Sequence, residues 1–310
     1  MPARGRTPVL KSLPLPLLAL LAAVASSSLG GTAIVVTRYV VPEAGVLPTV
    51  ALRFGGAALL MLALTLPRAP LAIEGRDRPW VVALGLVQFA LFPYCFTRSL
   101  EYIPAARAAL VLATQPLITL ALACLAGRER FTLAKAVAGL VALASVGFAL
   151  GERVDAAGDV AWKGDLFMFG ASLSGSLYNV SAGRVLGRYR ALVVGTVMVS
   201  MGAVAAWALM GLSGELRALA HISARGWMAV AYLASFGGFF TFFLWIWALE
   251  HAPPSRVALA VSFNPIVATL LGQLVLGEPA GGRLLLGLGG VILSLLIVNA
   301  RHLRWPGQSR

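Results

Sequence analysis

The sequence predicts an all-α polytopic membrane protein, with ten transmembrane helices arranged as two inverted five-helix repeats. Three observations predict it. Of 310 residues, 59% are apolar or aromatic and only 12% are charged, about half the charge of an ordinary soluble domain. Apolar runs long enough to cross a bilayer follow one another along nearly the whole chain. A residue pattern then recurs in register 149 positions further on. This apolar content excludes intrinsic disorder. Two Cys in 310 residues exclude a secreted disulfide scaffold.

About twenty residues at roughly 1.5 Å each cross the hydrocarbon of a membrane. By that measure the spans are Leu13–Val36, Leu47–Leu66, Trp80–Leu100, Pro104–Ala126 and Phe131–Leu150 in the first half. In the second half they are Gly164–Val185, Ala191–Leu212, Gly226–Leu249, Ser255–Leu276 and Gly282–Ala300. The breaks are short and rich in charge, Pro or Gly, as at Pro67-Arg68-Ala69-Pro70, Gly127-Arg128-Glu129-Arg130 and His251-Ala252-Pro253-Pro254. No gap is long enough for a soluble domain. Arg4, Arg6 and Lys11 ahead of an apolar stretch resemble a signal peptide, but the run stays uncharged from Ser12 to Thr37. Signal h-regions are about 7–15 residues long, so this one reads as the first span.

The formal net charge of +13 does not point to nucleic acid, because the basic residues sit in short gaps between apolar runs. Sixteen Lys and Arg fall on the side of the termini and nine on the other. The positive-inside rule then places both termini in the cytoplasm, which an even number of spans allows.

The repeat decides the topology. Leu100-Glu101-Tyr102-Ile103-Pro104-Ala105-Ala106-Arg107 aligns with Leu249-Glu250-His251-Ala252-Pro253-Pro254-Ser255-Arg256. The same offset carries Gln115-Pro116 onto Asn264-Pro265 and Glu129 onto Glu278. A weaker match sets Ala25-Ser26, Ser28 and Arg38 on Ala171-Ser172, Ser174 and Arg184. Residues 13–150 and 163–300 are thus two units. Five spans per unit is an odd number, so the second unit enters the membrane inverted, a pattern characteristic of secondary transporters.

The chain resembles the EamA-type members of the drug/metabolite transporter superfamily. Ala51-Leu52-Arg53-Phe54 is similar to the start of that family's second helix. Leu100 to Ala105, Gln115-Pro116 and Gly127-Arg128-Glu129 resemble its repeat signature, which Leu249 to Pro254, Asn264-Pro265 and Gly277-Glu278-Pro279 carry again. The resemblance covers about residues 14–300. It implies a ten-helix bundle with a central cavity, alternating access, a small-molecule substrate and a bacterial-type inner-membrane location. It also implies export of amino acids or similar metabolites, with sugar or nucleobase uptake as the alternative. A channel or a membrane scaffold is the further rival.

Polar groups within spans usually face the bundle interior, and they make the candidate site. Ser172, Ser176 and Asn179 share one helix face. Gln115 and Asn264 each precede a proline, Pro116 and Pro265, which removes a backbone bond and frees a carbonyl one turn earlier. Gln88, Tyr94 and Trp245 complete the substrate-binding candidates. Arg38, Arg53, Arg98, Glu101 and Glu250 lie at expected span ends. Arg38, Arg98, Glu101 and Glu250 are candidates for a gate or ion pair, with snorkelling to headgroups as the plainer account for all five.

All twelve acidic residues fall in loops or at span edges. No carboxylate or His lies mid-span, so coupling through a mid-membrane carboxylate is not expected. The sequence has no HExxH, no Cys/His ligand spacing and no P-loop. We therefore expect no enzyme activity, metal, cofactor or ATP drive. Ala134, Ala138 and Ala142, and glycines 282, 287, 289 and 290, would allow close helix approach. Whether that approach is within the chain or in a homodimer is open.

Overall fold

A computed structural model describes residues 14–103, 108, 111–112, 114–128, 132–150, 161–276, 282, 286–287, 289–290, 293–294 and 297. Most of the expected tenth span lies outside them, as do Glu129, Glu278 and the loop 151–160. The regular structure among the described residues is helical. It comprises α1 (Leu15–Ala44), α2 (Val46–Thr65), α3 (Arg78–Tyr102), α4 (Gln115–Leu125) and α5 (Leu133–Leu150) in the first half. The second half contains α6 (Ala161–Leu186), α7 (Ala191–Leu212), α8 (Ala224–His251), α9 (Pro254–Leu259) and α10 (Phe263–Leu276). Among the described residues, α1, α2, α3, α7 and α8 are both long and apolar enough to cross a membrane. A chain in hydrocarbon must satisfy its own backbone groups, and a helix does so within one segment.

The first span runs further than expected. Hydropathy alone ends it at Val36, but α1 continues through Arg38 and Pro42 to Ala44. Only Gly45 separates it from α2, at φ 85°, a left-handed backbone that suits a residue without Cβ. Leu59, Val204, Leu209 and Leu274 are exposed on the outside of the bundle. Large exposed apolar surface marks contact with lipid or a partner.

Two helices depart from α geometry at matching places. A π turn interrupts α3 at Val87–Leu91, and another interrupts α8 at Leu233–Phe240, 146 residues later by first residue. Each passes close to a glycine of the opposite half. Gly202 of α7 lies against Phe89, and Gly56 of α2 faces Ala234, where an added Cβ would come within 2.6 Å of the Ala234 methyl. The packing is crosswise throughout. α1 packs on α8 and α10, and α6 packs on α3 and α4. α2 and α7 pack on each other, and Thr65, the last residue of α2, shares a 2.7 Å hydroxyl bond with Thr196.

The alanine stripe on α5 is used within the chain. Ala138 is fully buried against Leu259, with Leu20, Val24 and Phe263 around it.

At one end of the bundle the α2–α3 loop is tied to the α6–α7 turn. Arg188 Nη1 donates to both Asp77 carboxylate oxygens at 3.0 Å, and the Tyr189 hydroxyl donates to Asp77 Oδ2 at 3.0 Å. Burial pushes the Asp77 carboxyl up, but the Arg188 and Tyr189 bonds and the Arg188 charge outweigh it and hold it below its ordinary value of 3.8. A depressed carboxylate stabilises the fold fully above its unfolded value and loses that contribution as pH falls through the folded one. Asp77→Asn is therefore expected to lower the melting temperature at pH 7. The gap from wild type should close as pH drops below 3.8. An unchanged gap at low pH would show that the loss comes from packing.

Candidate functional site

Where the crosswise helices meet, they enclose a cavity of about 70 Å³. Ordinary ligand pockets hold about 300–1,000 Å³, so this is a narrow space. α1 contributes Ser26, Ser27 and Gly30, and α2 contributes Arg53. From α3 come Gln88, which lies in the π turn, and the rings of Phe92 and Phe96. Leu112 and Gln115 enter at the start of α4; Thr241, Phe242 and Trp245 enter from α8. Val261 and Asn264 close it at the junction of α9 and α10. No Asp, Glu or His lines it among the described residues, and they hold no group able to bind a metal ion.

Both prolines mark breaks in the helices. Thr114 is a turn, and Pro116 begins α4 at a helix N-terminus, where its missing N–H costs nothing. In the second half a 3₁₀ turn, Ala260–Ser262, separates α9 from α10, and Pro265 sits in the first turn of α10. Both prolines thus stand in the first turn of a helix. Side chains of α6 bond backbone carbonyls on either side of Thr114. Ser172 Oγ donates to the Val111 carbonyl at 3.4 Å, and Ser176 Oγ donates to the Gln115 carbonyl at 3.2 Å. The two amides occupy mirrored places. A Cβ on Gly30 would lie 3.0 Å from Asn264 Oδ1, and one on Gly175 would lie 2.7 Å from Gln115 Nε2. Each amide therefore rests on a glycine of the other half.

Of the expected site residues, the structure brings Gln88, Gln115, Trp245 and Asn264 to the cavity wall. Ser172, Ser176 and Asn179 lie behind it. Asn179 is buried, and its Oδ1 accepts from Trp245 Nε1 at 2.9 Å, orienting the indole. Tyr94 is away from the wall, its ring edge-on to Phe167 at 6.5 Å. The rings of Phe54, Phe89 and Phe242 pack at 4.9–5.9 Å between centroids beside the cavity.

The end-of-helix candidates are elsewhere. Arg98 pairs with Glu101 near the end of α3. Arg38 Nη1 donates to the Ile103 carbonyl at 3.1 Å, tying α1 to the same place. Glu250 is 4.0 Å from His251 Nδ1.

Arg53 corrects the snorkelling account. It does not lie at a span edge; it is 7% exposed, eight residues into α2, and lines the cavity. Its Nη2 donates at 2.5 Å to the carbonyl of Gly237, in the π turn of α8. No carboxylate pairs with it among the described residues. The available signal was its depth in the run Leu47–Leu66, seven residues from the start.

Four cavity atoms find no hydrogen-bond partner among the described residues: Ser27 Oγ, Arg53 Nε, Gln88 Oε1 and Asn264 Oδ1. Leaving such a group unsatisfied costs about 1–3 kcal/mol, more when charged. Four of them face one space.

A helical bundle with an apolar exterior and a cavity where a few polar groups stand among apolar ones fits the class of polytopic membrane transporters. The chain is a member of the EamA-like transporter family, whose model matches residues 17–151 and 162–300. It is 28% identical over 266 residues to YedA, an uncharacterized inner membrane transporter of Escherichia coli K12, covering 83% of this chain and 82% of that one. An uncharacterized transporter of Archaeoglobus fulgidus is 25% identical over 232 residues, covering 73% and 79%. A protein of known crystal structure shares the fold, with a TM-score of 0.74 at 20% identity, over 94% of this chain and 99% of that chain.

Proposed function

We propose that the protein is a secondary, alternating-access carrier of small metabolites such as amino acids, with its site in the central cavity. The four unsatisfied polar atoms at the meeting of the two halves carry this reading. A ligand that satisfies them is bound by groups from both halves at once, so its binding is sensitive to how the halves sit. The crosswise packing and the paired π turns support an inverted arrangement of two five-helix repeats. Rocking one half against the other then exposes the cavity to alternate sides. The excess of basic residues on the side of the termini favours a cytoplasmic position for both. Export is the direction that the family resemblance carries.

A stability screen followed by flux tests it. The purified chain is heated with amino acids, sugars, nucleobases and hydrophobic cations. A ligand of the native state raises stability as RT ln(1 + [L]/Kd), about 2.7 kcal/mol at a hundred times Kd. We expect a hit whose affinity falls about tenfold or more in Asn264→Ala and Gln115→Ala, as for a lost buried hydrogen bond. In liposomes the same compound should show saturable flux accelerated by substrate on the far side. Linear, non-saturating flux would instead establish a channel. Inside-out and right-side-out vesicles give the direction.

A further inference from the structure

We infer that Arg53 is the receptor for a carboxylate group of the substrate, and that the cavity selects ligands carrying one carboxylate. This rests on the carrier reading above and narrows its substrate class. The guanidinium is 7% exposed and lines the cavity. A cation at such depth is costly, and intramembrane charges are usually paired or functional. Here the lining offers no carboxylate among the described residues. Among the described residues the guanidinium's partner is a neutral one, the Gly237 carbonyl on Nη2, while Nε is buried with no acceptor. The aromatic ring nearest to it is that of its own neighbour Phe54, 5.2 Å from Cζ. The cavity therefore carries one formal positive charge, with the guanidinium Nε donor open.

A single carboxylate matches both. It accepts from a planar guanidinium in a charge-assisted bond, roughly twice as strong as a neutral one, and it neutralises the site without leaving a net charge. A ligand with two or more negative charges leaves buried charge over. The Gln88 and Asn264 amide oxygens, also unsatisfied, accept from donors elsewhere on the same ligand. The Gly237 carbonyl belongs to the π turn of α8, and π turns are frequent at functional sites. A carboxylate that draws the guanidinium away loosens the tie between α2 and α8, linking binding to the packing of the two halves.

The test compares acids with their amides on the full chain in detergent. The probes are the common neutral amino acids and acetate, lactate and benzoate, each beside its primary amide, with sugars and nucleobases in parallel. We expect at least one acid to raise the melting temperature, with an affinity about ten- to a hundredfold above its amide. That advantage should be lost in Arg53→Gln and partly kept in Arg53→Lys. If Arg53 only holds Gly237, acid and amide shift the protein equally, which overturns the inference in wild type alone, whether or not Arg53→Gln folds. Stabilisation by an acid that survives in Arg53→Gln overturns it too. Stabilisation only by neutral sugars or nucleobases, sensitive to Asn264→Ala, overturns the carboxylate and leaves the carrier standing. No shift from any acid also overturns it; saturable exchange flux decides the carrier reading separately.

Discussion

Gly31→Ala is expected to destabilise the protein by about 1–3 kcal/mol, at the upper end of that range, and to impair transport with it. The added Cβ would come 2.6 Å from the Asn264 carbonyl oxygen and 2.8 Å from Val267 Cβ. The nearest of these atoms is backbone, so no side-chain rotation relieves the clash. α1 and α10 must move apart, and Asn264, which lines the cavity, moves with α10. Gly211→Ala is the control. It also lies in a transmembrane helix, α7, with no atom within 4 Å of its added Cβ. Its stability should stay within about 0.5 kcal/mol of wild type. Reversible unfolding in mixed micelles measures both. Equal effects at the two positions would mean that the loss reflects glycine content and not the α1–α10 contact.

Asn179→Leu is expected to have the next largest effect, a loss of about 1–2 kcal/mol. Asn179 is 1% exposed, and its Oδ1 is the acceptor for Trp245 Nε1. Removing it leaves a buried indole N–H with no partner and frees the ring to turn in the cavity. Polar pairs in membrane proteins couple by roughly 0.6 kcal/mol on average and about 1.7 at most. A cycle with Trp245→Phe should return a coupling in that range. Ligand affinity should fall in Asn179→Leu although Asn179 does not line the cavity, because the indole it orients does. A coupling near zero would sink the pairing. A normal affinity with lost stability would confine the pair to packing.

Part of the site was legible in the sequence and part was not. Gln115 and Asn264 could be found because each precedes a proline in register with the other, and a proline inside a helix removes a backbone hydrogen bond. Gln88 and Trp245 could be found as polar-capable groups in apolar runs. Tyr94 shows the limit of that rule: an amphipathic ring packs as readily on Phe167 as on a cavity. The Ser172 and Ser176 hydroxyls are turned to the Val111 and Gln115 carbonyls. Their shared face could be predicted, but its facing partner could not. The π turns carried no sequence signal, since they add one residue to a turn without changing composition.

The sequence by itself determined that the chain is a helical membrane protein built as a repeat. Both follow from one-dimensional quantities, the length of apolar runs against bilayer thickness and the constancy of a register. Only the tertiary structure decided what Arg53 is. An arginine seven residues into an apolar run can reach the headgroups along a lipid-facing surface, or it can be enclosed by other helices. The same residue is solvated at its tip in the first case and buried as a charge in the second. Which one holds depends on the rotation of α2 and on the π turn of α8 that meets it with the Gly237 carbonyl. Neither is a property of the residues around position 53 alone.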